Sequence, residues 1–336
     1  ANLAWQQADR VAGILLLFSQ GDSVAKADLA HFEALSVILN IVGRGFETLP
    51  PKLQSAYVKL LQGLRHLSGE TTALIPLQQA GACSILVPLL SGVARTKSLR
   101  PLASQVQSQA MFTIYNLCRV SKERQEQAAL AGIIPHTQRL IHSDNPLRQL
   151  AIPILCDLAH TGPEAKALLW QHDAAMTYLK LLSVKYWQAI SLNAIASWLA
   201  SLTDPKEAHD LEELLARPEC ITAVVQCVDE AETSAMASLL SPLLLLLQNP
   251  RLNKLYTISG LVAGLLIRMG HPEAVVRKSI IEIIQSMYAS SPDPRAFIMA
   301  HGLLDVFERV ISEDGSLLVQ EQGKLLLKAM YINAVL

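Results

Sequence analysis

Apolar residues return along this chain in one pattern: a small or turn residue, a short apolar helix closing on a Leu-Leu-like pair, a turn, then a longer apolar helix. The pattern starts at Ala80-Gly81 and runs to Leu89-Leu90. It returns at Ala131-Gly132, His172-Asp173, Pro218-Glu219, Ser259-Gly260 and His301-Gly302. The anchors 81, 132, 173, 219, 260 and 302 lie 51, 41, 46, 41 and 42 residues apart. That is the period of armadillo or HEAT units, not of the 33–34-residue repeats.

The longer helices are expected over Asn145–His160, Lys185–Ser201, Glu232–Leu247, Pro272–Tyr288 and Ser316–Tyr331. Pro146, Pro163, Pro205 and Pro272 stand near first turns, where a missing amide costs nothing. Ser143-Asp144-Asn145 and Thr203-Asp204 offer capping oxygens. These helices are apolar on more than one face, as an inner solenoid helix must be when its own unit and both neighbours cover it. The expected fold is all-α: an armadillo/HEAT-type right-handed α-solenoid of about seven repeats with a C-terminal half repeat. Units would begin near residues 4, 47, 96, 143, 184, 229 and 270, with 312–336 as the remnant. The wide first spacing marks Ala94–Leu102 as an extended loop, and no linker divides the 336 residues, so they form a single repeat domain.

Composition agrees with helices: 51% hydrophobic, 17% charged and 5% aromatic. A disordered chain is excluded. Five scattered cysteines, odd in number and without paired spacing, read as reduced core thiols of an intracellular protein and not as a zinc site. The apolar run Met236–Leu247 is too short for a bilayer, which needs about 20 residues. Val11–Phe18 looks like a short signal core but has no basic leader and reads as a core helix.

Enzyme chemistry leaves no trace. There is no Gly-rich phosphate loop, GxSxG or HExxH. His136 and His142 fall on different helical faces and read as surface or capping residues. Glu212-Glu213 and Asp229-Glu230-Ala231-Glu232 read as solvated faces. No catalytic residue, metal ligand or cofactor is expected.

A binding role has more support. Net charge is −1, which gives no global case for nucleic acid or an anionic membrane. Residues 95–185 nevertheless hold 11 Lys/Arg against 6 Asp/Glu, and 204–235 hold 2 against 9. Adding 41 to Asn116 gives Asp157 and then Trp198; adding 41 to Arg119 gives His160 and then Ser201. Members three apart share a helix face, so a polar and aromatic ladder is expected on three successive inner helices. An Asn amide reads a peptide main chain and an Arg fork grips carboxylate or phosphate. Asn116, Arg119, Lys122, Arg124, Arg139, Arg148, Asp157, His160 and Trp198 are the candidate partner-binding residues, and a phosphorylated or acidic segment suits their charge. Other roles stay open: Asn116 and Asp157 as internal bridges or caps, the basic residues as a solvated face, and Trp170, Trp187 and Trp198 as core.

Particular strings then carry a resemblance. Ile114-Tyr115-Asn116-Leu117-Cys118-Arg119, Arg124-Gln125-Glu126-Gln127-Ala128-Ala129, Ala131-Gly132-Ile133-Ile134-Pro135-His136, Pro153-Ile154-Leu155-Cys156-Asp157-Leu158-Ala159-His160, Leu169-Trp170-Gln171-His172-Asp173 and Tyr186-Trp187-Gln188 resemble, in this order, the C-terminal armadillo-type region of the fungal septation-initiation and mitotic-exit protein kinases. Plant epsilon-type MAP-kinase-kinase-kinases are similar over the same stretch. The likeness is dense over residues 108–200. It implies a non-catalytic fragment of a serine/threonine kinase, since no Asp-Phe-Gly or His-Arg-Asp string occurs here. It further implies a cytoplasmic protein recruited to the spindle pole body through a Ras-like GTPase in its GTP form, a phosphorylated pole-body scaffold, or both, in the control of mitotic exit, septation and cytokinesis. Self-association is the alternative the family suggests, with Leu326–Leu336 as an apolar contact, and a general peptide-binding scaffold is another. The chain departs from nuclear-import adaptors, whose inner helices resemble a long run of Trp and Asn pairs. Only Asn116 matches that Asn position cleanly, and a basic peptide would meet like charge.

Overall fold

One long helix and seven helical triplets follow one another in a computed structural model that describes residues 2–47, 49–92 and 97–335, apart from the side chains of Asn2, Ser98 and 333–335. No strand occurs among the described residues. The first helices are α1 (Asn2–Ser19), α2 (Ser23–Leu29), α3 (Phe32–Val42), α4 (Pro51–Ser68), α5 (Thr71–Gln79) and α6 (Ala82–Leu86). Then come α7 (Arg100–Cys118), α8 (Lys122–Leu130), α9 (Ile133–Ile141), α10 (Arg148–Leu158), α11 (Pro163–Gln171), α12 (Ala174–Leu181) and α13 (Gln188–Ser201). The remainder are α14 (Pro205–Leu215), α15 (Pro218–Glu230), α16 (Met236–Leu246), α17 (Pro250–Thr257), α18 (Leu261–Ile267), α19 (Ala274–Ser290), α20 (Pro294–His301), α21 (Leu303–Glu313) and α22 (Leu317–Val335). The fold class is all-α, of armadillo-type repeats.

The chain divides into two compact units, Ala1–Ala174 and Ala175–Leu336. In the first, α1, α4, α7 and α10 pack each against the next. In the second, α13, α16, α19 and α22 do the same. Each of these helices closes a triplet or, for α1, precedes the first, and their apolar stripes build the core. Leu61, Leu64 and Leu67 of α4, Ile114 and Leu117 of α7, and Ile152 and Leu155 of α10 are buried, each contributing about 1.5–3 kcal/mol of transfer free energy.

Five of the six anchors share one backbone feature. Gly81, Gly132, Asp173, Gly260 and Gly302 all have positive φ, between 52° and 93°. This left-handed residue ends the first helix of a triplet and turns the chain into the second. Glycine tolerates it without a Cβ penalty, and a short polar Asp is the next best choice. The anchor at 218–219 differs: Arg217 is extended and Pro218 opens α15 at its first position, so proline sets that helix start without a left-handed residue.

Helix starts follow the expected chemistry. Asn145 Oδ1 accepts from Leu147 N at 2.9 Å, and Asp204 Oδ1 accepts from Lys206 N and Glu207 N at 2.8 and 3.0 Å. Pro163, Pro205, Pro218, Pro250 and Pro294 each open a helix. The expected loop over Ala94–Leu102 needs correction where it is described. Lys97–Leu99 form a 3-10 turn that runs into α7 at Arg100, helped by the fixed φ of Pro101 in the first helical turn; residues 94–96 lie outside the described residues. Of the apolar contact expected over Leu326–Leu336, the side chains of 333–336 also lie outside them. All five cysteines are buried. No single helix among the described residues is long and apolar enough to cross a membrane.

Candidate functional site

The third helices of the first unit carry a partly exposed polar stripe between buried rows. On α7 the stripe is Gln105, Gln109, Phe112, Asn116 and Arg119, spaced by three or four, so one face of the helix presents all of them. The matching positions are Pro153 and Asp157 on α10 and His160 in the turn that follows it. Each inner helix buries the two residues that follow the stripe: Leu117-Cys118 after Asn116, and Leu158-Ala159 after Asp157.

Asn116 donates from Nδ2 to Ser68 Oγ at 3.0 Å, and Ser68 in turn donates to Arg65 O at 2.7 Å. Its amide group thus bridges α7 to α4, the internal role left open by the sequence. Burial raises the Asp157 carboxyl to about 6. His160 is held below the ordinary imidazole value by burial first and by the charges of Lys122 and Lys166 next. Lys166 is itself lowered by burial and by Lys122. Lys122, His160 and Lys166 therefore lie within electrostatic reach of one another, beside the α7 end that carries Arg119. Lys166, on α11, is 8% exposed; 41 residues earlier stands Gln125, so repeat equivalence does not pick it out.

The remaining candidates separate. Arg119 and Lys122 are exposed at the junction of α7 and α8, and Arg148 is partly exposed in the first turn of α10. Arg139 lies on α9 and donates to Leu90 O at 2.5 Å. Arg124 must be corrected. It is 8% exposed, and its guanidinium donates from Nε to Leu117 O at 2.6 Å and from Nη1 to Gln78 Oε1 at 3.4 Å. It closes the C-terminus of α7 instead of facing a partner.

Trp198 needs the same correction in the second unit. It is 1% exposed, its indole edge-on to Tyr178 with ring centroids 6.3 Å apart. The partly exposed position preceding a buried pair on α13 is Ser197.

One arrangement was not anticipated. Arg65, in the last turn of α4, lies over the Phe112 ring with Cζ 3.9 Å from the centroid, and Nη1 donates to Gln109 Oε1 at 3.4 Å. The signal was present in α7, as a single Phe in an otherwise polar stripe. Period arithmetic compares equivalent positions and so cannot pair Arg65 with Phe112. Among the described residues no group of three or more His, Cys, Asp and Glu gathers to hold a metal.

No family model matches the chain. It is 31% identical to MAP3K epsilon protein kinase 1 of Brassica napus over 344 residues, covering 100% of this chain and 25% of that protein. It is 34% identical to cytokinesis protein sepH of Aspergillus terreus over 319 residues, 94% of this chain and 23% of the relative. Cell division control protein 7 of Schizosaccharomyces pombe is 28% identical over 326 residues, 96% of this chain and 29% of the relative. The chain thus spans about a quarter of the length of the curated relatives it matches. Among solved structures, a computationally designed armadillo repeat protein aligns with 18% identity and a TM-score of 0.45, covering 88% of this chain and 99% of that one.

Proposed function

We propose, from the match of this chain over 94–100% of its length to a fungal cytokinesis protein and a plant epsilon-type MAP-kinase-kinase-kinase, that it is a docking and localisation module. In this reading it recruits a cell-division serine/threonine kinase from the cytoplasm to the spindle pole body, and so contributes to mitotic exit and septation. Its partner is a Ras-like GTPase in the GTP form, a phosphorylated pole-body scaffold segment, or both. The segment has no catalytic part of its own: it matches only the portion of these proteins outside the kinase domain.

The observation that carries the reading is the basic junction of the first unit. Arg119 and Lys122 are exposed there, and the charge of Lys122 adds to burial in holding His160 and Lys166 below their ordinary values. Such a site favours an incoming anion and disfavours a basic peptide. The test is calorimetric titration with the pathway's Ras-like GTPase, loaded with a non-hydrolysable GTP analogue or with GDP. Binding of the GTP form alone supports an effector module. Binding of neither form moves the reading to the scaffold segment.

Self-association is a second reading, favoured by the apolar side chains Leu317, Leu318, Leu325, Tyr331 and Ile332 exposed along α22. A light-scattering mass equal to one chain at working concentration would remove it.

A further inference from the structure

We infer that the first unit carries a two-point anion clamp, Arg65 seated on the Phe112 ring and Arg119 at the end of the same stripe, which takes an extended polypeptide segment bearing phosphorylated side chains. The inference rests on the docking reading above and narrows it to a ligand chemistry and a set of residues.

Arg65 is the stronger point. Its guanidinium lies 3.9 Å above the ring centroid of Phe112, and Gln109 Oε1 takes one N–H at 3.4 Å. An Arg fork has five N–H donors in a fixed plane, so most of them remain for a ligand. The ring holds the orientation of that plane, which reduces the freedom lost when two parallel N–H groups grip an oxyanion. A lysine would offer a point charge without that geometry.

The electrostatic surroundings point the same way. Arg65 has no carboxylate partner among the described residues, whereas Lys26 on the same edge is neutralised by Glu70 at 2.7 Å. His66, next in sequence, accepts at Nε2 from Gln20 Nε2 at 3.2 Å. Burial, then Arg65, then Lys26 hold its imidazole below the ordinary value. Of the cations at this end of α4, Lys26 is answered by Glu70 and Arg65 is left to a ligand.

Between the two arginines lies Asn116, one turn beyond Phe112 and one turn before Arg119 on α7. One N–H of its amide goes to Ser68 Oγ, which leaves the second N–H and the carbonyl oxygen to a ligand. A carbonyl acceptor flanked by two guanidinium groups suits a main-chain N–H between two anionic side chains. A free phosphate ion has no main-chain amide to place between the two guanidinium groups, which is the reason to assign a polypeptide.

The test uses the full chain and a fluorescent Gly/Ser/Ala peptide carrying two phosphothreonines, its unphosphorylated twin, and vesicles containing phosphatidylinositol phosphate, with anisotropy and co-sedimentation as readouts. The phosphorylated peptide should bind and its twin should not. Arg65→Gln and Arg119→Gln should each weaken binding about tenfold or more, the loss expected for one charge-assisted hydrogen-bonding group. Phe112→Leu, which keeps every charge, should weaken it severalfold. Arg65→Lys should bind like Arg65→Gln, while Arg309→Gln on α21 should change nothing.

Circular dichroism melting of each variant separates lost binding from lost folding, and Arg65→Lys serves as the conservative replacement should Arg65→Gln unfold. Equal binding of the two peptides overturns the clamp, as does full binding by the Arg65→Gln/Arg119→Gln double variant. Capture of the vesicles without the peptide overturns it in favour of a membrane. If the GTPase still binds while the phosphopeptide does not, the clamp falls and the docking reading stands; if neither binds, both fall.

Discussion

Replacing Arg124 by Met separates a residue that builds the fold from one that meets a partner. Met keeps much of the buried stem and removes the guanidinium. Leu117 O is one of the last four carbonyls of α7, which have no intrahelical partner, and Arg124 Nε satisfies it at 2.6 Å. The adjacent Gln125 does the same for Cys118 O at 2.7 Å. Losing a charged hydrogen bond to a buried carbonyl costs about 1.5–3 kcal/mol, and losing a cation at a partly buried helix C-terminus costs about 0.3–1 kcal/mol more. The sum is about 2–4 kcal/mol. For a unit of this size each kcal/mol moves the melting temperature by about 2–4 °C, so Arg124→Met should melt roughly 5–15 °C below the parent. Arg119→Met, exposed at the same junction, should stay within about 0.5 kcal/mol of the parent. Thermal circular dichroism measures both, and partner titration well below the melt completes the experiment. Arg124→Met should bind as the parent does. An unchanged melting temperature together with lost binding would refute the reasoning, because the guanidinium would then be facing a partner and not α7.

Three further outcomes are expected. Charge reversal by Arg119→Glu with Arg148→Glu should abolish partner binding in calorimetry while leaving the helical signal and melting temperature nearly unchanged, since both side chains are at least partly exposed at helix ends; normal binding by the double variant would take these residues out of the site. Gly132→Ala should destabilise the first unit by about 1 kcal/mol in urea melts: the left-handed φ of 87° costs an L-residue about 1–2 kcal/mol, against which alanine returns about 0.4–1 kcal/mol by restricting the unfolded chain, and a Cβ there meets nothing within 4 Å. Burial holds the Asp157 carboxyl at about 6, above its ordinary 3.8, so the folded chain retains a proton that the unfolded chain releases. Its contribution favours folding most below about pH 4, declines as pH rises towards 6 and is flat above that; Asp157→Asn should remove this slope from the pH dependence of the urea midpoint.

What could be read in the chain follows from how local each cause is. The left-handed anchors were visible because glycine, or a short Asp, sits where the backbone needs positive φ, and that requirement is met within one residue. Helix starts were visible through Pro163, Pro205 and the caps at Asn145 and Asp204 for the same reason. Arg124 was not, because a basic residue in the first turn of α8 looks like a solvated charge until α7 is known to end against it. The Arg65–Phe112 stack was hidden for a further reason: it joins the last turn of α4 to a point farther from the end of α7, so no repeat-equivalent comparison brings the two together.

Trp198 shows how small an error in the repeat length is needed to misplace a side chain. From Gly132 to Asp157 is 25 residues, and from Asp173 to Ser197 is 24. The missing residue falls in the second helix of the triplet: α9 spans nine residues and α12 eight. With about 3.6 residues per turn, a slip of one residue rotates a position by about 100°, enough to carry it from a partly exposed stripe into the core. A period of 41 therefore holds from Asn116 to Asp157 and fails at the next step, where the exposed position is Ser197 and the residue after it is the indole packed on Tyr178. Beyond Asp157 the polar ladder expected on a third helix is reduced to a hydroxyl. The groups open to a charged partner thus lie on α4, along α7 and just beyond α10, where Arg65, Asn116, Arg119 and His160 hold exposed or partly exposed positions.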